Sequence, residues 1–113
     1  MTTYVEVDQF YADLEATKAA ELEITKMMLR HGHEGWACGF AWVYYPQRIR
    51  KNSQMAKSLA AIGFRWNDYH KCMEKRNLYH GQSIDFAEAA CRAYADRFTE
   101  ITGLKMSTAS RID

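Results

Sequence analysis

Aromatic and basic side chains are interleaved in residues 42–65, and this segment has the residue types best suited to binding chemistry. Aromatic rings stack on bases and cations neutralise phosphates, so the combination suits a single-stranded nucleic acid or a nucleotide. We therefore predict a ligand-binding surface made of Tyr44, Tyr45, Arg48, Arg50, Lys51, Lys57 and Arg65. The alternative is that the rings belong to the core and the basic residues form a solvated rim.

The distribution of charge favours an anionic partner for the same region. The net charge is +1, but residues 35–80 hold 8 basic and 2 acidic residues, a local charge of +6. Residues 1–34 carry −4 and residues 81–113 carry −1. A basic centre attracts phosphate or carboxylate groups. The alternative is that acidic helices on either side neutralise it.

Histidines and cysteines offer a second kind of chemistry, but their spacing does not define a site. They form no CxxC or HExxH unit that would fix a zinc ion, so we predict neither a metal nor a cofactor. Cys38 and Cys91 fall on apolar patterns and are predicted to be buried, whereas the basic neighbours of Cys72 favour a lowered thiol pKa. Spacing pairs no histidine with a cysteine, so we predict no catalytic residue.

An apolar run over residues 36–45 is the element that the rest of the chain must surround. Its residues alternate between bulky and small, which predicts a strand with one bulky face and one face that a helix can approach closely. The predicted helices cover residues 8–31, 54–62 and about 83–102, and the further strands cover 64–71 and 75–80. The order α-β-α-β-β-α predicts a single α+β domain with an antiparallel or mixed sheet of about three strands, packed with helices. Residues 105–113 are predicted to be a tail, either loose or lying along the surface.

The first helix is long for a chain of 113 residues. Spacings of three, four and seven predict a buried stripe made of Phe10, Leu14, Thr17, Ile24, Met27 and Met28. If this stripe exceeds what the sheet covers, the surplus would pair with a second copy or with a host protein. A homodimeric inhibitor of a host protein is therefore the alternative function, and a small enzyme is the third.

No apolar run approaches the roughly 18 residues that cross a bilayer, so no membrane partner is predicted. The first ten residues lack a basic region followed by an apolar core, which argues against a signal peptide. Three cysteines without regular spacing argue against a disulfide framework and favour a reducing compartment. We therefore predict a cytoplasmic location.

Four short motifs, in this order, resemble those of small tailed-bacteriophage proteins of unassigned function. The motifs are Ala37-Cys38-Gly39-Phe40-Ala41-Trp42-Val43, Gly63-Phe64, Gln82-Ser83-x-Asp85 and Ser110-Arg111-x-Asp113. The resemblance covers about residues 36–113 and does not include the first helix. It implies a phage-encoded accessory protein in the bacterial cytoplasm, where binding to a host or phage molecule is a commoner role than catalysis.

Overall fold

A computed structural model of the chain describes residues 8–32 and 37–112, which form three helices and four strands. In chain order these are α1 Gln9–His31, β1 Gly39–Tyr44, α2 Gln54–Ala60, β2 Arg65–Asn67, β3 Cys72–Lys75, α3 Ile84–Thr102 and β4 Ser107–Ile112. Ser53 and Ser83 cap α2 and α3, because each hydroxyl accepts a hydrogen bond from the backbone N–H three residues on. Gly32 and Gly103 end α1 and α3 in the left-handed conformation, as glycine commonly does.

The four strands form one antiparallel sheet in the order β2-β3-β1-β4. The α+β prediction is confirmed, with four strands in place of about three. The additional strand, β4, comes from the predicted tail and pairs with β1 from Gly39↔Ile112 to Tyr44↔Ser107. After α1, the elements follow the β-α-β-β-α-β order of the ferredoxin-like arrangement.

The two faces of the sheet differ as the alternation along β1 predicts. Ala41 and Val43 lie in the hydrophobic core beneath the helices, on what we call the covered face. Gly39 belongs to the same side, where a Cβ atom would lie 2.6 Å from the Arg111 carbonyl oxygen and 2.9 Å from Ile84 Cδ1. Phe40 and the other bulky residues of β1 lie on the opposite side, the open face.

The predicted buried face of α1 is confirmed at Met27 and at Ile24, which packs against the core, but it is wrong at Phe10, Leu14 and Met28, which are exposed. The helix buries Ala12, Ala16, Ala20 and Met27, whereas Phe10 and Leu14 are more than half exposed. The small residues let α1 pack closely along the alanine-rich α3, and close packing there outweighs the burial of larger side chains. None of the described helices has the length and apolar character needed to span a membrane.

Lys75 fastens α1 to the covered face of the sheet. Its ammonium nitrogen lies 3.1 Å from Asp13 Oδ1 and also donates to the carbonyl of Ile62. The same carboxylate accepts a hydrogen bond from the hydroxyl of Tyr94 on α3. The Lys75 nitrogen further lies 5.8 Å from the ring centroid of Phe64, within the range of a cation–π interaction.

Candidate functional site

Asn67, the last residue of β2, shapes the turn that leads into β3. Its side-chain oxygen accepts hydrogen bonds from the backbone N–H groups of Tyr69 and His70, both at 2.8 Å. Asparagine favours such turns because its side chain substitutes for a backbone acceptor. The turn ends at Lys71, whose φ of 56° is left-handed and whose N–H donates to the Asn67 carbonyl. This geometry brings His70 next to β3 on the open face.

Glu74 is a carboxylate on the open face that is only 5% exposed. Its Oε1 atom lies 3.0 Å from His70 Nδ1, and its Oε2 atom accepts hydrogen bonds from Asn67 at 3.0 Å and from Arg76 at 3.2 Å. Burial acts to raise the pKa of Glu74, but the three hydrogen bonds and the charge of Arg76 outweigh it and lower the pKa. Glu74 is therefore ionised at neutral pH and orients the groups around it. We call these four residues the Glu74 cluster.

Trp42 lies beneath two members of the Glu74 cluster. The guanidinium carbon of Arg76 is 4.2 Å from the centroid of the Trp42 ring, a close cation–π contact. The His70 ring is parallel to Trp42 within 12°, with the centroids 6.4 Å apart. The ring of Phe40, which is 39% exposed, lies 5.9 Å from that of Trp42. The open face thus combines the ring of Trp42, which Arg76 and His70 hold in place, with the accessible ring of Phe40.

Two clefts meet at Glu74. The first has a volume of about 490 Å³, and its lining includes Trp42, Tyr44, Arg48, His70, Lys71 and Cys72. The second has a volume of about 410 Å³, and its lining includes Arg65, Asn67, Arg76 and Asn77. Both volumes fall in the range of roughly 300–1,000 Å³ that is typical of small-molecule sites.

Three of the predicted ligand-binding residues line these clefts. Tyr44 and Arg48 line the first cleft, and Arg65 lines the second. Arg50 and Lys51 are exposed in the connection between β1 and α2, where Lys51 Nζ lies 3.9 Å from a carboxylate oxygen of Asp68. The structure therefore brings Tyr44, Arg48 and Arg65 to the open face and leaves the other two on the neighbouring loop.

Tyr45 and Lys57 lie away from the clefts. Tyr45 belongs to the hydrophobic core, and burial raises its pKa. It differs from Tyr44 because consecutive residues of an extended segment point to opposite sides. Lys57 is exposed on α2 and lines neither cleft. Neither residue belongs to the surface that Tyr44 and Arg48 share.

The cations of the open face are available to a ligand. Within residues 8–32 and 37–112, no carboxylate forms an ion pair with Arg48, Arg65, Lys71 or Arg111. All four are exposed, and Arg111 pairs with Phe40 across the sheet. The carboxylate of Glu74 is buried and compensated by Arg76, so the open face presents positive charge around its rings.

The Glu74 cluster was missed by the sequence reasoning. Asn67 and Glu74 are seven residues apart, and only the hairpin brings them together. The available signal was Asn67-Asp68, a pair that favours a turn through its side chains. It marks the position of the turn but not the identity of the groups that meet on the neighbouring strand.

Cys38 and Cys72 differ from their predicted environments, whereas the predicted burial of Cys91 is confirmed. Cys38 is exposed rather than buried. Burial, with the negative charge of Glu74, raises the pKa of Cys72 rather than lowering it. Burial raises the pKa of Cys91, predicted to be buried and unreactive, to about 12. A raised pKa makes a thiol a poorer source of thiolate, so neither Cys72 nor Cys91 is activated as a nucleophile.

Side chains of metal-binding types in the sequence include His31, His33, Glu34, His70 and His80. His33 and Glu34 lie outside the described residues. In the part of the chain that the structure describes, no three side chains of the metal-binding types come together.

The chemistry that the open face supports is recognition of an anionic ligand with a planar ring. The chain matches no protein-family model, no curated protein and no solved structure.

Proposed function

We propose that the open face of the sheet binds a single-stranded nucleic acid or a nucleotide, and that the protein acts by binding rather than by catalysis. The observation that carries this proposal is the set of rings on the open face, in which Phe40, Tyr44 and His70 surround the buried Trp42, beside exposed cations that no carboxylate of the described residues pairs. The setting we propose is the one implied by the sequence motifs, an accessory protein of a tailed bacteriophage acting in the host cytoplasm.

The rings supply the stacking surfaces. Phe40 and His70 are accessible beside Trp42, and Tyr69 in the turn is almost fully exposed. The Tyr69 ring meets His70 edge-on, with the centroids 5.1 Å apart. Stacking of a base on an aromatic side chain contributes about 1–3 kcal/mol and tolerates any base. These rings favour an unpaired base over one held in a duplex.

The cations supply the phosphate contacts. Arg48 and Lys71 border the first cleft and Arg65 the second, while Arg111 stands on β4 at the other side of the ring row. A strand whose bases stack on β1 therefore has cations near its backbone on both sides. RNA-recognition motifs also stack bases on aromatic side chains of a four-stranded sheet, so this fold geometry is compatible with such binding.

The experiment is a titration of a fluorescently labelled oligothymidylate followed by anisotropy at several salt concentrations. If about four phosphates are neutralised, the plot of log affinity against log salt has a slope of about −3, because each contact to a single strand contributes about −0.7. Arg48→Ala with Lys71→Ala should reduce the magnitude of the slope by about 1.4. A salt-independent affinity, or no binding at low salt, would contradict the proposal.

The matched control is Lys57→Ala with Lys105→Ala, which removes the same charge from residues that line neither cleft. This variant should keep the wild-type slope to within the error of the fit. Equal weakening by both double variants would show that net charge alone attracts the oligonucleotide. A competition with mononucleotides then separates the two ligands, because an extended strand gains affinity with length and a nucleotide site does not.

A further inference from the structure

The outward face of α1 exposes six large apolar side chains, and nothing in the proposed nucleic-acid surface uses them. They are Phe10, Tyr11, Leu14, Leu22, Met28 and Leu29, each between 43% and 82% exposed. At 3.6 residues per turn they lie on the side of the helix opposite Ala12, Ala16 and Ala20, which face the core. The helix thus buries its small residues and presents its large ones.

The pattern of this face is nearly the same when read from either end. Two adjacent apolar residues lie near each end, Phe10 with Tyr11 and Met28 with Leu29. The middle of the face carries opposite charges, Lys18 and Glu21, and the Lys18 ammonium nitrogen also lies 3.3 Å from a carboxylate oxygen of Glu15 on the same helix. A two-fold interface places the same surface of each copy against the other, so it requires a self-complementary pattern of this kind.

We propose that α1 pairs with α1 of a second copy, antiparallel, about a two-fold axis at the midpoint of the helix. Phe10 then meets Leu29 of the second copy, Tyr11 meets Met28, and Lys18 meets Glu21. Because the contacts are reciprocal, each pair occurs twice. A central charged pair in an otherwise apolar helix seam specifies register and orientation, as polar residues do in coiled coils.

The helix dipoles also favour the antiparallel arrangement. An antiparallel pair opposes the two dipoles, whereas a parallel pair would align them. The 23-residue helix is about 35 Å long, which gives the pair a seam along the whole of one side of the domain.

The first test is sedimentation equilibrium of the full chain over a wide concentration range. The wild type should show a reversible monomer–dimer equilibrium. Leu22→Glu with Leu29→Glu should be monomeric at concentrations where the wild type is dimeric, with far-UV circular dichroism unchanged. A wild type that stays monomeric would overturn the proposal, as would a dimer that survives both substitutions.

The second test uses exchanged charges to fix the register. Lys18→Glu sets acidic groups opposite one another across the axis, and Glu21→Lys sets basic groups there, so each variant alone should dimerise at least about tenfold more weakly. An equimolar mixture of the two variants restores both opposite-charge pairs and should form the heterodimer. Failure of the mixture to associate would overturn the antiparallel register. This rescue occurs between chains, so a change in the stability of one helix cannot imitate it.

The matched control for both tests is Arg48→Ala with Lys71→Ala on the open face, which should leave dimerisation unchanged. Conversely, the variant with both Leu22→Glu and Leu29→Glu keeps every ring and cation of the proposed nucleic-acid surface. It should bind a short oligonucleotide with the wild-type affinity per chain. Loss of dimerisation and loss of oligonucleotide binding therefore report on separate surfaces.

Discussion

Glu74 and Lys75 are neighbours on β3, but they lie on opposite faces of the sheet and their charges have different partners. Lys75, on the covered face, pairs with Asp13 of α1 and lies near the rings of the core. Glu74, on the open face, holds His70 and Arg76 beside Trp42. The difference shows that one strand can anchor a helix and organise a binding surface with adjacent residues, because strand side chains alternate.

The largest expected difference between the faces is in stability. Phe64 is fully buried against Tyr94 and Phe98, whereas Phe40 is partly exposed on the open face. Phe64→Ala should lower the free energy of unfolding by about 3–5 kcal/mol, the usual cost of emptying such a site. Phe40→Ala should lower it by less than about 1 kcal/mol, measured by urea denaturation. Similar losses from the two substitutions would contradict the assignment of the faces.

The ion pair on the covered face should be the next most costly to break. Lys75→Met keeps an apolar stem near Phe64 but leaves Asp13 without its cation, so it should lower stability by roughly 2 kcal/mol. This is less than the cost for a fully buried pair, because Asp13 is 25% exposed. Lys71→Met, in the exposed turn, is the control and should change stability by less than about 0.5 kcal/mol. Equal losses of stability from Lys75→Met and Lys71→Met would show that Lys75 does not anchor α1.

Removing the charge of Glu74 should have a smaller and pH-dependent effect. Glu74→Gln disrupts its charge-assisted hydrogen bonds and should lower stability by about 1–2 kcal/mol at neutral pH. The folded-state pKa of Glu74 lies below the ordinary value of 4.5, so its contribution is complete above that value and is lost as the pH falls through the lowered pKa. The free energy of unfolding of the wild type and of the Glu74→Gln variant should be measured from about pH 7 to about pH 3. The difference between the two proteins should shrink only at the acid end. A difference that grows on acidification would contradict a lowered pKa for Glu74 in the folded state.

The smallest expected effect concerns the reactivity of the cysteine thiols and involves no change in the stability of the protein. Cys72 lies in the first cleft, Cys38 is exposed outside it, and Cys91 is buried in the core. Alkylation should proceed fastest at Cys38 and slowest at Cys91, whose pKa is raised to about 12. A bound oligonucleotide should slow alkylation of Cys72 and leave Cys38 unchanged, as read by peptide mass spectrometry. Protection of Cys38 instead would place the ligand elsewhere.

Local signals were enough to predict much of the covered side. The size alternation of β1 depends on adjacent residues, and the structure has the two faces that it predicts. The serine caps and glycine helix ends likewise depend on a few adjacent residues. The buried face of α1 was only partly predictable in this way. Periodicity favours the largest apolar residues, but a close helix pair selects Ala12, Ala16 and Ala20.

The open face was only partly predictable because its groups meet through strand pairing. Tyr44 and Arg48 were predicted together because they are close in sequence, whereas Glu74 reaches Asn67 and His70 only through the hairpin. The sequence of β4, Ser107–Ile112, lacks apolar alternation, and its pairing with β1 fixes it as a strand. Lys75 and Asp13 are separated by most of the chain, so no local pattern joins them.

Nuclear magnetic resonance of isotopically labelled protein titrated with an oligothymidylate shows directly which residues the ligand contacts. We expect the chemical-shift changes to concentrate at Phe40, the indole of Trp42, Tyr44 and Cys72, while Val43 and Met73 on the covered face change little. Shifts confined to the outward side of α1, or none at saturating oligonucleotide and low salt, would contradict this expectation.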